Sequence, residues 1–258
     1  MGIFYIYLNM EKLLYTLSLV VCFSSFGQKG IYMPGDDVLS IEIPTKIDKL
    51  YGYPSNDELH PEAVEYYNLA TPIIASQPNQ AILLFKKAIN KDPHFVQAID
   101  NLAKTYRFIE EYNLAIKYYL LSQKIFPKGN TAYQNLAVVY CIQKQWNKAI
   151  EQYKILISNF PNDPEGYYGL AHVYLNIEDD SLVLALKNAK KALSLYLTNP
   201  TNYISDSYLQ VGLIHYYRKE TSLAKKYLKI AKEKFDENNM SERFSEFDSI
   251  LESLYQTN

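Results

Sequence analysis

The feature that most constrains this chain is a repeat of 34 residues that covers most of its length. Large, small and helix-ending residues recur together at this spacing, so the repeat reflects a structural unit. Five sets of equivalent positions follow it: Leu102, Leu136 and Leu170; Ala103, Ala137 and Ala171; Tyr106, Tyr140 and Tyr174; Ala81, Ala115 and Ala149; Pro93, Pro127 and Pro161. Such a chain folds as a stack in which each unit covers the apolar face of the next.

Each unit is predicted to contain two helices joined by a turn. Ile99, Leu102 and Tyr106 are spaced i, i+3 and i+7, which places them on one face of the first helix of a unit. Small alanines in both helices allow the two backbones to approach closely. Pro127 ends a second helix, because proline lacks an N–H and disfavours the helical conformation in the residue before it. The unit is therefore a helical hairpin.

The motifs that carry this pattern resemble the tetratricopeptide repeat (TPR), a 34-residue helix–turn–helix unit. They read L-A-x-x-Y in the first helix, A-x-x-x-[FY] in the second, and a proline at the end. The resemblance implies an all-α fold, a right-handed α-solenoid of about five TPR hairpins plus a C-terminal capping helix. Only 9 of the 258 residues are glycine, which leaves little material for a turn-rich β-sandwich.

The period divides the array into five units with a few departures. Pro72 is expected to kink the first helix of the first unit, and a longer turn precedes the second helix of the fourth unit. Residues 241–255 are predicted to form one helix, with Ser241 as its N-cap, which covers the end of the stack. The predicted segments are an irregular leader at 28–60, an array at 61–236 made of units 61–95, 96–129, 130–163, 164–202 and 203–236, and a capping helix and tail at 237–258.

Residues 1–27 have the pattern of a secretory signal peptide. A stretch of 11 apolar or uncharged residues at 13–23 follows Lys12, and the small residues Ser25 and Gly27 precede a cleavage site before Gln28. This stretch is shorter than the 20 or so residues that span a bilayer. We therefore expect secretion across the inner membrane and a periplasmic or cell-envelope location, with no transmembrane anchor after signal removal. The segment resembles the signals of Bacteroidota envelope proteins.

The N-terminal segment leaves two questions, where translation starts and whether Cys22 carries a lipid. Translation could begin at Met1 or at Met10, since the pattern is complete from either residue. Lipidation at Cys22 is disfavoured, because Val21 stands where a small residue is required. Cleavage removes Cys22 and leaves Cys141 as the one cysteine of the mature chain, so the fold is expected to stand without a disulfide.

The sequence predicts neither an enzyme nor a cofactor or metal site. Its four histidines are not paired with another histidine or cysteine at metal-ligand spacing. A glycine-rich phosphate loop and a G-x-S-x-G nucleophile elbow are both missing from the sequence. The formal net charge of -2 argues against a nucleic-acid partner.

The TPR resemblance implies a binding groove instead. In that family the first helices of the hairpins line a concave surface that holds a protein or peptide. We therefore expect a non-catalytic scaffold whose partner is a protein or peptide. The chain has 25 tyrosines, which suit peptide recognition, although most of them could simply be core residues. The residues that the resemblance places in the groove are Asp100, Lys104, Arg107, Gln134, Tyr168, His172, Asn176, Tyr216 and Tyr217.

A second interpretation is a structural subunit of an envelope or secretion complex. It would dock through the convex face, which the second helices form, or through the capping helix. The last two second helices are rich in lysine, which indicates either a solvated face or a patch for an acidic partner. These residues are Lys187, Lys190, Lys191, Lys225, Lys226, Lys229, Lys232 and Lys234. The sequence leaves the identity of the partner and the oligomeric state open.

Overall fold

The computed structural model describes residues 59–177, 181–198, 201 and 203–256, and every regular element within them is helical. The predicted signal peptide and nearly all of the leader lie outside the described residues. The α-helices are α1 (Pro61–Ala70), α2 (Pro78–Lys91), α3 (Val96–Phe108), α4 (Tyr112–Ile125), α5 (Thr131–Ile142), α6 (Trp146–Asn159), α7 (Pro164–Ile177), α8 (Leu182–Thr198), α9 (Ile204–Tyr217), α10 (Thr221–Glu237), α11 (Ser241–Phe244) and α12 (Asp248–Gln256). Two 3-10 turns, Thr71–Ile73 and Ser245–Phe247, complete the list.

The described residues divide into two compact units, one that ends at Gln145 and one that begins at Trp146. In the first unit each helix packs on the next, from α1 through α5, and α3 also contacts α5. The alanines and aromatic residues of the repeat pattern form its core: Ala103 and Ala115 are fully buried, and Tyr106 stacks on Tyr118 with ring centroids 5.5 Å apart. The small residues therefore lie at close helix contacts, as their period indicates.

The second unit continues the same arrangement from α6 to α10, and α7 also contacts α9. Its core is closed at the C-terminal end by α11, the 3-10 turn and α12, which pack on α10. The buried residues of this closing cluster are Leu209, Leu213, Ala224, Leu228, Ala231, Phe235, Phe244, Phe247, Leu251 and Leu254. The predicted cap is thus present and apolar on its inner side.

The turns of three hairpins share one geometry that uses no glycine. Glu110, Lys144 and Lys219 follow α3, α5 and α9 with φ between 55° and 65°. In each turn the next N–H bonds a carbonyl five residues back, as Glu111 N–H does to Tyr106 O at 2.9 Å. These are Schellman caps, which satisfy the last carbonyls of a helix. Asn239, after α10, repeats the geometry with φ 56°.

The structure corrects two local expectations. Pro72 does not kink α1, because the helix ends at Ala70 and Pro72 lies in the 3-10 turn that follows. A proline there lacks the N–H, and its ring clashes with the carbonyl four residues back, so the helix ends instead of bending.

The single capping helix is the second corrected expectation. Residues 241–255 form α11, a 3-10 turn and α12 instead of one helix, and the N-cap of α11 is Met240, with no side-chain capping bond from Ser241. The 3-10 turn eclipses residues three apart, so it directs both Phe244 and Phe247 into the closing cluster.

Candidate interaction surface

Helices α3 and α5 in the first unit, and α7 and α9 in the second, are the elements that carry the predicted groove residues. Within each unit the two helices lie side by side. Residues spaced i, i+4 and i+7 on α3, and i, i+4 and i+8 on α7, share one face of their helix. Each unit therefore presents a strip of surface built from two neighbouring first helices.

In the first unit this strip contains Asp100, Lys104 and Arg107 on α3 and Gln134 on α5. Lys104 is exposed and Gln134 is half-buried, whereas Asp100 and Arg107 are both almost fully buried. A ligand on this strip would reach Lys104 and Gln134 directly. Asp100 and Arg107 lie beneath this strip, where a ligand would not contact them directly but would be close to their charges.

In the second unit the strip contains Tyr168, His172 and Asn176 on α7. Tyr168 is buried, and His172 and Asn176 are half-buried. Asn176 Nδ2 donates to the backbone oxygen of His172 at 2.7 Å, which orients the amide beside the imidazole. Polar groups that are already oriented lose little entropy when a ligand binds.

The neighbouring helix α9 adds Tyr216 and Tyr217 to this strip. Both rings are half-buried, and they contact each other edge to face with centroids 5.5 Å apart. Tyr216 packs against the closing cluster, and Tyr217 packs against both the closing cluster and a second apolar cluster that includes Ala185, Ala189 and Ile214. Burial raises the pKa of Tyr217 to about 12, so the phenol stays protonated and can donate a hydrogen bond. The two rings offer aromatic area together with hydroxyl groups.

A buried polar cluster at the second-unit strip was not foreseen from the sequence. Arg243 of α11 donates from Nη2 to Asp206 Oδ1 of α9 at 2.6 Å. Gln210 of α9 donates to the backbone oxygen of Tyr168 at 3.1 Å. These bonds tie α7, α9 and the capping segment together.

The two carboxyl groups at this cluster, Glu165 and Asp206, have raised pKa values. Tyr196 Oη donates to Glu165 Oε1 at 2.6 Å, and burial raises the pKa of Glu165. Burial also raises the pKa of Asp206 to about 6; the Arg243 charge opposes this shift and Glu165 adds to it. Arg243 therefore pairs with one of the two desolvated carboxylates, Asp206, and Tyr196 donates to the other, Glu165.

The rarity of arginine is the sequence feature that could have indicated this cluster. The chain has three arginines, Arg107, Arg218 and Arg243, among 26 basic residues. Arg107 is buried, Arg218 pairs with Glu220 at 2.8 Å, and Arg243 pairs with Asp206. Guanidinium suits buried or fork-shaped pairing better than ammonium does, and two of the three arginines of this lysine-rich chain, Arg218 and Arg243, form ion pairs.

The cysteine of the third repeat and the buried histidine of the fifth repeat have structural surroundings in the described residues. Burial raises the pKa of Cys141 to about 12, which keeps its thiol protonated and unreactive. His215 is buried, stacks on Tyr227 at 5.4 Å and bonds Glu220 through Nδ1. Within the described ranges, no group of three or more His, Cys, Asp or Glu side chains is placed to hold a metal ion.

Solved structures of TPR proteins share this arrangement of helices. A thermophilic TPR protein of Thermus thermophilus is 17% identical over 71% of this chain and 97% of its own, with a TM-score of 0.57. The PilF protein of Pseudomonas aeruginosa is 16% identical over 77% of this chain and 94% of its own, with a TM-score of 0.58. The chain has the TPR fold. The predicted all-α solenoid class with a C-terminal cap is thereby confirmed.

A third TPR structure is that of YrrB, described as a TPR protein with an unusual peptide-binding site. It is 17% identical over 69% of this chain and 89% of its own, with a TM-score of 0.51. No family model matches the sequence, and no curated protein is significantly similar to it. In the described part of this chain, helices that combine the length and the apolar character needed to cross a bilayer were not found.

Proposed function

We propose that this chain is a non-catalytic scaffold that binds a protein or peptide along the strips formed by its first helices. The observation that carries the proposal is the strip on α7 and α9, where His172, Asn176, Tyr216 and Tyr217 combine half-buried polar groups with aromatic rings. Such a surface can hydrogen-bond a peptide backbone and cover its side chains. YrrB, which shares the fold, is described as having an unusual peptide-binding site, and this supports peptide binding by a chain of this fold.

The location that fits the N-terminal pattern is the periplasm or the cell envelope. We propose that residues 1–27 direct export and are removed, so that the scaffold acts outside the inner membrane. The support for this is the uncharged stretch at 13–23 and the small residues at Ser25 and Gly27. A second candidate role is a structural subunit of an envelope complex, and it is favoured by the exposed leucines Leu83 and Leu223 on two other second helices, α2 and α10.

The first prediction concerns the strip on α7 and α9. The variant His172→Ala/Asn176→Ala/Tyr216→Ala should lower the affinity for the partner at least tenfold, because each truncation removes contact area or an oriented hydrogen-bonding group. The partner is first captured from envelope extract by cross-linking to the wild-type chain and identified by mass spectrometry. Its affinity for each variant is then measured by calorimetry.

The matched control for this experiment is Lys117→Ala/Lys124→Ala/Leu120→Ala on α4, which removes exposed side chains from a second helix. It should leave the affinity unchanged. Thermal melts of both variants show whether the fold is intact. Equal affinities for the wild type and the α7–α9 variant would reject the proposed strip and favour docking through the convex face.

The second prediction concerns processing at the N-terminus. Protein isolated from its native cells should begin at Gln28, as determined by terminal sequencing or mass spectrometry. A Gly27→Tyr variant places a large ring beside the expected cleavage site, and it should accumulate with its N-terminal segment attached. Native protein that begins at Met1 or Met10 would contradict export by cleavage.

A further inference from the structure

The outward face of α8 combines lysines with exposed aliphatic side chains. Val183, Lys187, Lys190, Ser194 and Leu197 are spaced by alternating steps of four and three, so they form one stripe along the helix. Leu184 and Lys191 lie on the adjacent stripe and are also exposed. We call Val183, Leu184, Lys187, Lys190, Lys191 and Leu197 the outer face of α8.

The aliphatic residues of this face are far more exposed than core-forming residues of a helix. Val183 is 64% exposed, Leu184 44% and Leu197 50%. The opposite side of α8 is fixed in the core by residues that include Ala185, Ala189 and Leu193. The outer face therefore cannot rotate inward, and its apolar groups are held in water.

The charge of this face has one sign. No acidic residue occurs between Leu182 and Thr198. Lys191 lies over the ring of Tyr167 at 5.8 Å, and within the described ranges none of the three ammonium groups pairs with a carboxylate. The acidic residues Glu178, Asp179 and Asp180 precede α8 in the sequence and lie outside the described residues. The face is complementary to a negatively charged surface.

We propose that the outer face of α8 docks on an anionic phospholipid membrane, a role beyond binding a partner on the first helices. Val183 and Leu197 are about 21 Å apart along the helix, with the lysines between them. A bilayer accepts apolar side chains anywhere along such a helix, whereas a folded protein would need a matching pocket at each end. The long lysine stems allow the ammonium groups to reach the phosphate layer while the aliphatic groups enter the acyl boundary.

An exposed aromatic residue follows the C-terminal end of the helix. Tyr203 is exposed, and its ring centroid lies 6.3 Å from that of Tyr196 on α8. Tyrosine is enriched at the level of lipid headgroups, because its ring is apolar and its hydroxyl is polar. A membrane surface thus accounts for the lysines and the aliphatic residues of the outer face together.

The experiment measures partition of the full chain onto vesicles of phosphatidylcholine, with and without phosphatidylglycerol, by sedimentation. The ratio of the two partition coefficients isolates the anionic contribution, because the apolar N-terminal stretch contributes to both. Lys187→Gln/Lys190→Gln/Lys191→Gln should lower binding to the anionic vesicles about 100-fold, since each lysine near such a surface contributes roughly fivefold. Val183→Ser/Leu184→Ser/Leu197→Ser should lower it at least tenfold.

Two controls match these variants. Lys117→Gln/Lys124→Gln/Lys154→Gln removes the same charge from exposed positions elsewhere and should change the partition less than threefold. The variant His172→Ala/Asn176→Ala/Tyr216→Ala should bind vesicles normally, so failure of the peptide strip and failure of this proposal are distinguishable. Equal losses in the two lysine variants would overturn the proposal. A second result would also overturn it: vesicle binding is lost in the α8 lysine variant but not in the aliphatic variant, and the wild-type chain binds soluble polyglutamate as well as it binds anionic vesicles. That result would identify an acidic protein as the partner.

Discussion

Replacing Gly169 by alanine is expected to lower the free energy of unfolding by about 1–3 kcal/mol, the usual cost of overpacking a core. A Cβ at this position would lie 2.2 Å from two ring carbons of Tyr153 and 2.7 Å from its hydroxyl oxygen. Tyr153 belongs to α6 and is buried, so its rigid ring has no open space to enter. The gain of about 1 kcal/mol in helix propensity from alanine offsets only part of the clash.

A double-mutant cycle tests this explanation by urea unfolding. Tyr153→Leu alone should destabilise the chain, because it removes buried ring area. In the Tyr153→Leu background, however, Gly169→Ala should be neutral or stabilising, since the ring that it meets has been removed. Additive effects of the two substitutions would show that the close contact between α6 and α7 does not limit the residue at position 169.

The second large effect is a pH dependence of stability that arises from Asp206. This carboxyl group is 1% exposed, and burial raises its pKa to about 6 in the folded chain, against 3.8 for a free side chain. The folded state therefore binds the proton more tightly than the unfolded state does. The resulting stabilisation is fully present below about pH 4 and is lost as the pH rises through 6, a change of roughly 2–3 kcal/mol. Glu165, whose pKa is also raised, contributes with the same sign.

Asp206→Asn is the variant that tests this dependence. Its free energy of unfolding, from urea titrations at several values between pH 4.5 and pH 8, should vary less with pH than that of the wild type. At pH 8 it should be at least as stable as the wild type, because an amide has no charge to desolvate and can still accept the bond from Arg243. Parallel pH profiles for the two chains would contradict the assignment of the pH dependence to Asp206.

Arg243→Ala provides the complementary measurement. Without the guanidinium, the buried Asp206 carboxylate has lost the cation that now faces it, so at pH 8 the variant should be about 2–3 kcal/mol less stable than the wild type. The deficit should shrink as the pH falls from 8 towards 6, because loss of the guanidinium raises the pKa of Asp206 further and the carboxylate of the variant takes up a proton in this range. A deficit that is the same at pH 5 and pH 8 would mean that Arg243 stabilises the chain by packing on Phe235 and not through its charge.

The burial of residues that follow the 34-residue period was predictable from the sequence, because these residues make contacts within one hairpin or with the next hairpin. Ala103, Ala115 and Tyr106 are buried as their period requires. Local exceptions were harder to predict. Pro72 and residues 241–247 depart from a regular helix, and the sequence pattern alone does not distinguish a bent helix from a helix that ends. The turns at Glu110, Lys144 and Lys219 could not be predicted from the sequence either. Positive φ is usually indicated by glycine, and in these turns non-glycine residues adopt it.

The accessibility of the residues in the candidate binding strips could not be predicted from the repeat pattern. The TPR resemblance places Asp100, Arg107 and Tyr168 on it, yet all three are buried. Burial depends on how neighbouring helices and their side chains fill the groove, and a repeat pattern does not contain that information. The prediction that these positions contact a ligand directly stays a prediction; Lys104 and His172 have the accessible side chains.

The sequence by itself determined the all-α class, the hairpin unit and the residues at which helices pack closely. These properties follow from the spacing of apolar, small and proline residues along the chain, which short-range geometry converts directly into helices and their faces. Only the tertiary structure decided that Arg243 pairs with Asp206 and that Gly169 lies under the ring of Tyr153. It also decided that the aliphatic residues of α8 point outward. Each of these depends on atoms from different helices meeting in space, or on which side of a helix its neighbours leave uncovered.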